Sequence, residues 1–380
     1  MRLVFQDRAP YQLWNTPAPP SLSLCPSTPR HAHVCQTLYT AEMDHATGFT
    51  FFYISSKLSS LHVHHSGEPS ALNTFIRTFP NRQRRFVAWI YLPVAKRDRV
   101  LLVGIRQGQE SWARCIVVRT QLAGDVLIGQ PREGPFWDSV LGACPPLTLV
   151  YGDPKPSTPF RFFGVHCRIP LDHHWTPPEP PRLPQPSGSP IGDIAYFSWA
   201  PLSDVSSAEV FYDKRDGACR GILFRCQHGG ARAVGQCRIH VDPSRTVVRP
   251  ARLYFEIESG PSWQWDEDHK YTVHVRFEQT PRTAGESEHG AAGESEHGTS
   301  EEIETRTGRE SEHRAVGESQ QGTVGESEDG ITEGSENGGT GGAEQGHKME
   351  GIIKFWFTTV SCFVVVENGV SLTPWIEIPT

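Results

Sequence analysis

Three clusters in this 380-residue sequence have the residue types and spacing to do chemistry. The first is Leu61-His62-Val63-His64-His65. On a strand, His62 and His64 project from one face two residues apart, an arrangement a metal site uses. No cysteine is close in sequence, and the nearest carboxylate, Glu68, lies past a turn signal. The reading adopted is a solvated strand face ending in a histidine turn. The second cluster is Cys219, Cys226, His228, Cys237 and His240. Cys237-x-x-His240 has zinc-compatible spacing, and a hairpin would carry Cys226 towards it. The six residues between Cys219 and Cys226 do not make a zinc knuckle, however, and cysteine packs well as a small core residue. No metal is therefore assigned, and Cys226, Cys237 and His240 are the residues a zinc site would draw on. The third is Trp263-Gln264-Trp265-Asp266-Glu267-Asp268-His269, with aromatics beside carboxylates, which reads as a ligand rim or an exposed loop before a strand.

Other chemistries find little to work with. The chain has neither a Gly-x-Ser-x-Gly nucleophile elbow nor a Gly-x-x-x-x-Gly-Lys phosphate loop, so no catalytic and no cofactor-binding residues are assigned. Arg82, Arg84 and Arg85 stand next to Phe86. Sequence-specific RNA binding would need aromatics on an open sheet flanked by such residues, and no strand here has that pattern. The arginines read as a solvated turn.

The element that must position the second cluster is a β-hairpin. Gly221 to Cys226 is a strand-length apolar run, His228-Gly229-Gly230 supplies the positive φ of a tight turn, and Ala231 to Cys237 returns. Ile222 and Phe224 are expected on the buried face, with Leu223 towards another layer and Arg225 in solvent. Earlier strands are read at Gly48–Ile54, Leu61–His65, Phe86–Leu92, Arg99–Arg106, Arg114–Arg119, Val126–Ile128, Leu147–Tyr151 and Phe160–His166. Later ones are read at Ala208–Tyr212, Arg252–Glu258, Tyr271–Phe277 and within Met349–Val366. Many short strands punctuated by turn residues, with 35 glycines and 31 prolines, point to an all-β protein of sandwich or β-prism type.

Composition divides the chain. Residues 170–192 contain eight prolines and read as a stiff linker. Residues 281–346 hold 16 acidic and 4 basic side chains, a balance of −12, which leaves 32 basic and 27 acidic elsewhere, or +5. That excess is too small to argue for nucleic acid. Within the tract, Gly-Glu-Ser-Glu-His-Gly stands at 285–290 and again at 293–298. Ser287, Ser295, Ser311, Ser319, Ser327 and Ser335 keep an eight-residue register. Eight fits neither an α-helix nor a heptad, and there is almost nothing apolar to bury, so the tract is expected to be disordered. The resulting plan is an irregular segment at 1–46, a β-rich domain at 47–169, the linker at 170–192, and a second β-rich domain at 193–280 plus 347–380, interrupted by the acidic insertion. Phe277 and Ile352, on either side of the insertion, are expected on neighbouring strands of one sheet.

Nine cysteines without framework spacing do not suggest a secreted disulfide scaffold. The N-terminus has no apolar signal-like region, and the most apolar run, Gly351 to Val366, contains Lys354 and is shorter than the about 20 residues a membrane helix needs. The expected compartment is the cytosol or nucleus, with reduced cysteines.

Several stretches carry a resemblance: Trp14-Asn15-Thr16-Pro17, Gly48-Phe49-Thr50-Phe51-Phe52, Leu122 through Gly129, Cys219 to Cys237, and Val241-Asp242-Pro243-Ser244-Arg245. Together they resemble a family of filamentous-fungal proteins, some longer members of which are labelled F-box proteins. The resemblance implies no activity. It also implies an aromatic residue where Cys226 stands, which favours packing over zinc at that position. The F-box segment itself has no counterpart here. The strand Gly48–Phe52, with Arg99–Arg106, Cys115–Thr120 and Phe162-Phe163-Gly164-Val165, resembles a jacalin-like β-prism, although the Gly-Tyr/Trp-Asp sugar loop of such lectins is not evident. The function expected is a non-enzymatic binding or protein-interaction module without cofactor, its partner another protein. A carbohydrate-binding jacalin-like lectin and a hydrolase-like enzyme with a site dispersed in sequence are the alternatives.

Overall fold

Short runs of β-branched and aromatic residues between turn signals fold here as antiparallel strands, as their pleated half-buried surfaces favour. The computed structural model describes residues 2–4, 12–22, 25, 27–28, 37–67, 70–108, 114–131, 134–153, 160, 162–167, 189–191, 195–260, 270–279 and 346–367. Most of the linker, the acidic tract with its expected disorder, and the run Trp263–His269 lie outside the described residues. The strands on either side of the insertion belong to one compact unit.

The N-terminal segment contributes three short strands, β1 (Arg2–Val4), β2 (Gln12–Trp14) and β3 (Ser27–Thr28). A first lobe follows: β4 (Thr37–Glu42), β5 (Gly48–Ile54), β6 (Lys57–His64), α1 (Ala71–Thr78), α2 (Asn81–Arg84), β7 (Ala88–Pro93), β8 (Val100–Gly108), β9 (Arg114–Thr120), β10 (Gly124–Ile128), β11 (Phe136–Ala143), β12 (Leu147–Gly152) and β13 (Phe163–Cys167). The second lobe runs β14 (Tyr196–Pro201), β15 (Val205–Tyr212), β16 (Cys219–Cys226), β17 (Ala231–Gly235), β18 (Ser244–Val248), β19 (Pro250–Gly260), β20 (Lys270–Gln279), β21 (His347–Lys348), β22 (Ile352–Phe357) and β23 (Cys362–Glu367). The fold is all-β. Among the described residues, no helix is long and apolar enough to cross a membrane.

Each lobe is built on three sheets, antiparallel except where β2 runs parallel to β4, and the two lobes share one pattern of strand connections. In the first lobe the orders are β6-β5-β7, β10-β9-β8-β11, and a sheet in which β4 pairs with the closing hairpin β12-β13. In the second they are β20-β19-β21, β17-β16-β15-β18, and β14-β22-β23. In each four-stranded sheet a meander is followed by a strand returning to the outer side of its first member. The sheets β6-β5-β7 and β20-β19-β21 do the same with the third meander strand missing. In the first lobe α1 and α2 occupy that place in the chain, between β6 and β7. In the second lobe it is occupied by the insertion between β20 and β21.

The insertion therefore separates strands of different sheets. Phe277 pairs with Leu253 across β19-β20, whereas Ile352 pairs with Pro201 and Glu367 in the β14-β22-β23 sheet. The expectation that Phe277 and Ile352 share a sheet is corrected. The short β21, which pairs with Arg252 and Leu253 on the far side of β19, takes up the chain before it crosses to β22.

The hairpin is β16-β17, with Ile222 opposite Val234 and Phe224 opposite Arg232. Ile222 and Phe224 are fully buried in the main core, and Leu223 enters a separate cluster with Phe211, Ala231 and Cys237. Arg225 reaches solvent and pairs with Glu209 at 2.9 Å. The turn places Gly229 at φ +92°, which a glycine adopts without steric cost.

The main core takes side chains from all six sheets, among them Phe49, Val103 and Leu149 in the first lobe and Val210, Leu253 and Phe355 in the second. Polar groups join the lobes as well. Gln236 accepts from the Trp89 backbone N–H at 3.1 Å and donates to the Thr358 carbonyl at 2.9 Å. Arg232, 4% exposed, donates through Nε to the Ala123 carbonyl at 2.9 Å and lies 4.3 Å from the Trp199 ring. Burying a charge requires such pairing, because its desolvation is otherwise uncompensated.

Candidate functional site

The first lobe holds a groove of about 590 Å³ bounded by β4, β6, β12 and α1. Its origin lies in β5, whose sequence Gly-Phe-Thr-Phe-Phe-Tyr-Ile is buried on both faces. Phe49, Phe51 and Tyr53 enter the main core, while Phe52 points the other way and must be covered. α1 supplies the cover. Ala71, Leu72, Phe75 and the following Phe79 pack on Phe52 and Trp89, with the Phe52–Trp89 and Phe75–Trp89 ring centroids both 4.8 Å apart. Arg84 from α2 closes the end of α1 by donating to the carbonyls of Phe79 at 2.9 Å and Ile76 at 3.0 Å. With its apolar side fixed, α1 turns Asn73 and Arg77, one helical turn apart, towards the groove.

β6 forms the floor. The expected single face for His62 and His64 is observed: their rings meet edge to face at 4.6 Å. Both are held by threonines. His62 Nδ1 shares a 2.9 Å hydrogen bond with Thr74 Oγ1 of α1, and His64 Nε2 shares one of 2.7 Å with Thr50 Oγ1 of β5. The Tyr91 ring packs on His64 at 5.2 Å. Burial, and after it the neighbouring His62, His240 and His65, push the His64 imidazole down to about 3. His64 is thus neutral, and the solvated strand face expected here is instead a packed one. His65 lies in the groove wall, 3.2 Å through Nδ1 from the His45 carbonyl, and His45 is 3.9 Å from the Glu42 carboxylate.

The remaining wall is aromatic. Tyr151 of β12 pairs directly across from Tyr39 of β4, and the rings stack at 5.7 Å with 19° between planes. The Tyr39 hydroxyl donates to Asp153 at 3.4 Å. Burial raises the Tyr151 phenol to about 12; Tyr39 adds to this, and the nearby Arg77 charge opposes it. Arg77 is exposed and makes no ion pair with any described residue.

The cysteine cluster is dispersed by the hairpin that carries it. Cys226 ends β16, buried, its thiol raised by desolvation and held back by Arg232. Cys237 is fully buried beyond β17, its thiol against the Val234 carbonyl at 3.5 Å. His240 is exposed in a turn with φ +60°, on the His64 side. Among the described residues no three His, Cys, Asp or Glu side chains are grouped to hold a metal. Six of the eight described cysteines are buried, with Cys167 half-buried and Cys144 exposed. Arg82, Arg84 and Arg85 lie on and just after α2 rather than in an irregular turn, and Arg85 stacks on the half-exposed Phe86 at 4.6 Å.

Sequence reasoning singled out the histidines of the groove but missed Glu42, Asn73, Arg77 and Tyr151. Asn73 and Arg77 at i, i+4 beside an i, i+4 pair of phenylalanines, Phe75 and Phe79, were the available signal. The Tyr39–Tyr151 pair spans more than a hundred residues and leaves none. No protein-family profile matches the chain, and no curated protein is similar to it.

Proposed function

We propose that this protein is a non-enzymatic binding module whose ligand sits in the groove between α1, β4, β6 and β12. The observation that carries the reading is the division of labour in the groove. Of the groove's histidines, His62 is bonded to Thr74 and His65 to the His45 carbonyl, whereas Asn73 and Arg77 are exposed beside the half-buried Tyr151, around a volume in the range of about 300–1,000 Å³ typical of ligand sites. The partner is another protein presenting a side chain or peptide, or a glycan; the likeness of the first lobe to a jacalin-like β-prism is the ground for including glycans. Nine cysteines without the spacing of a disulfide framework support work in a reducing compartment, cytosol or nucleus.

The test is a thermal-shift screen of the full chain against peptide, glycan and metabolite panels, beside the variant Asn73→Ala/Arg77→Ala. Ligands that raise the melting temperature of the wild type are expected to leave the variant unmoved. Reporter esters, peptides and glycosides are expected to survive incubation with either. Turnover by the wild type that the variant loses would replace the module with an enzyme.

A further inference from the structure

We infer that the groove takes an acidic saccharide, with a carboxylate on Arg77 and hydroxyls on Glu42 and Asn73. The inference rests on the reading of the groove as a binding site and adds the class of ligand. Its first support is charge. Between Ala71 and Phe86 the chain has four arginines and no carboxylate. Arg84 is spent on the end of α1, but Arg77, Arg82 and Arg85 are exposed. Of the three only Arg77 lines the groove, and its guanidinium matches a carboxylate through two parallel hydrogen bonds.

The second support is Glu42 on the opposite wall. An exposed carboxylate repels a dianionic phosphate but accepts hydrogen bonds from hydroxyl groups. A ligand that satisfies Arg77 and Glu42 together presents a carboxylate to the one and hydroxyls to the other, as each sugar of a uronic acid saccharide does. Asn73, one turn before Arg77 on α1, adds an amide donor and acceptor for a neighbouring hydroxyl. Tyr151, stacked on Tyr39 and packed against Phe160, brings a fixed aromatic side chain to the groove wall for apolar contact with the sugar ring.

Isothermal titration calorimetry of the full chain at low ionic strength tests the inference with three probes: tetragalacturonate, its fully methyl-esterified form, and inorganic phosphate. The acid and the ester differ in charge at one group per sugar. The acid is expected to bind about tenfold tighter than the ester or more. Arg77→Ala is expected to bring the two within about twofold while near-ultraviolet circular dichroism stays unchanged, and Arg77→Lys to restore part of the preference. Equal binding of acid and ester at the groove would overturn the acidic class while leaving the binding module standing. Phosphate binding as tightly as tetragalacturonate would overturn it as well. If neither saccharide binds while another panel ligand is lost in Asn73→Ala/Arg77→Ala, the saccharide is overturned and the groove is not. A panel without any groove-dependent ligand overturns both.

Discussion

The two lobes answer the same structural problem in different ways. Each has a three-stranded sheet in which a strand is missing from the meander, β6-β5-β7 in the first and β20-β19-β21 in the second. In the first lobe the gap is bridged by two short helices, and Phe75 of α1 with the following Phe79 completes the packing over Phe52 and Trp89. In the second it is bridged by a long acidic insertion almost devoid of apolar residues. The helical bridge is bound into the core and so can hold side chains in fixed positions above a groove. The comparison teaches that the sheets are a common frame and that individuality enters at one connection, in keeping with the general placement of function on segments that a rigid scaffold positions.

Several substitutions would break or sharpen this picture. The largest effects belong to the frame. Phe224→Ala in the second lobe and Phe52→Ala in the first are each expected to cost roughly 3–5 kcal/mol, because both remove a fully buried aromatic ring. Since side chains from both lobes form one core, each variant is expected to melt in a single transition, as chemical denaturation followed by fluorescence and circular dichroism would report. Two separated transitions would mean that the lobes fold independently.

Next is the polar tie between the lobes. Arg232→Met retains the apolar stem but loses the bond to the Ala123 carbonyl and the charge over Trp199. A loss of about 1–3 kcal/mol is expected, the range for orphaning a buried acceptor. A neutral or stabilising outcome would show that hydrophobic packing alone holds the lobes together.

A smaller effect distinguishes the first lobe by pH. The folded His64 is held near 3, below its unfolded value near 6.5, so the unfolded chain binds the proton more readily. Its contribution is complete above about pH 6.5 and is lost as pH falls towards 3, with a slope of at most about 1.4 kcal/mol per pH unit. His64→Asn is expected to flatten the pH dependence of stability between 6.5 and 5 in urea titrations. An unchanged slope would assign acid sensitivity to other groups.

The smallest effect is expected at the insertion. Replacing residues 281–345 by a short Gly/Ser loop is expected to change stability by no more than about 1 kcal/mol, the scale of a loop-length term. Replacing Ala71–Arg85 in the same way would uncover Phe52 and Trp89 and is expected to unfold the first lobe. Equal effects from the two replacements would erase the contrast between the lobes.

What the sequence made legible follows from the range of its signals. Strands announce themselves locally, so Gly48–Ile54 is read to the residue, and the alternation of Ile222, Leu223 and Phe224 between two packed layers follows from the period of the pleat. α1 escapes because two helical turns give too little periodicity to separate Phe75 and Phe79 from a broken strand. Pairing across the chain is the other blind spot. Phe277 and Ile352 are both strand residues bordering one insertion, and nothing local reveals that β21 intervenes and sends the chain to another sheet. The groove suffers in the same way, since His62 and His65 are visible as a motif whereas Tyr151 joins them only through its register with β4.

The claim that function resides in the helix-bridged groove of the first lobe is tested most directly by soaking crystals of the full chain with a library of small polar and aromatic fragments and mapping where they bind. The account predicts that fragments concentrate between Asn73, Arg77 and Tyr151, with carboxylate-bearing ones on Arg77. Fragments that avoid this groove and concentrate on the second lobe would contradict it.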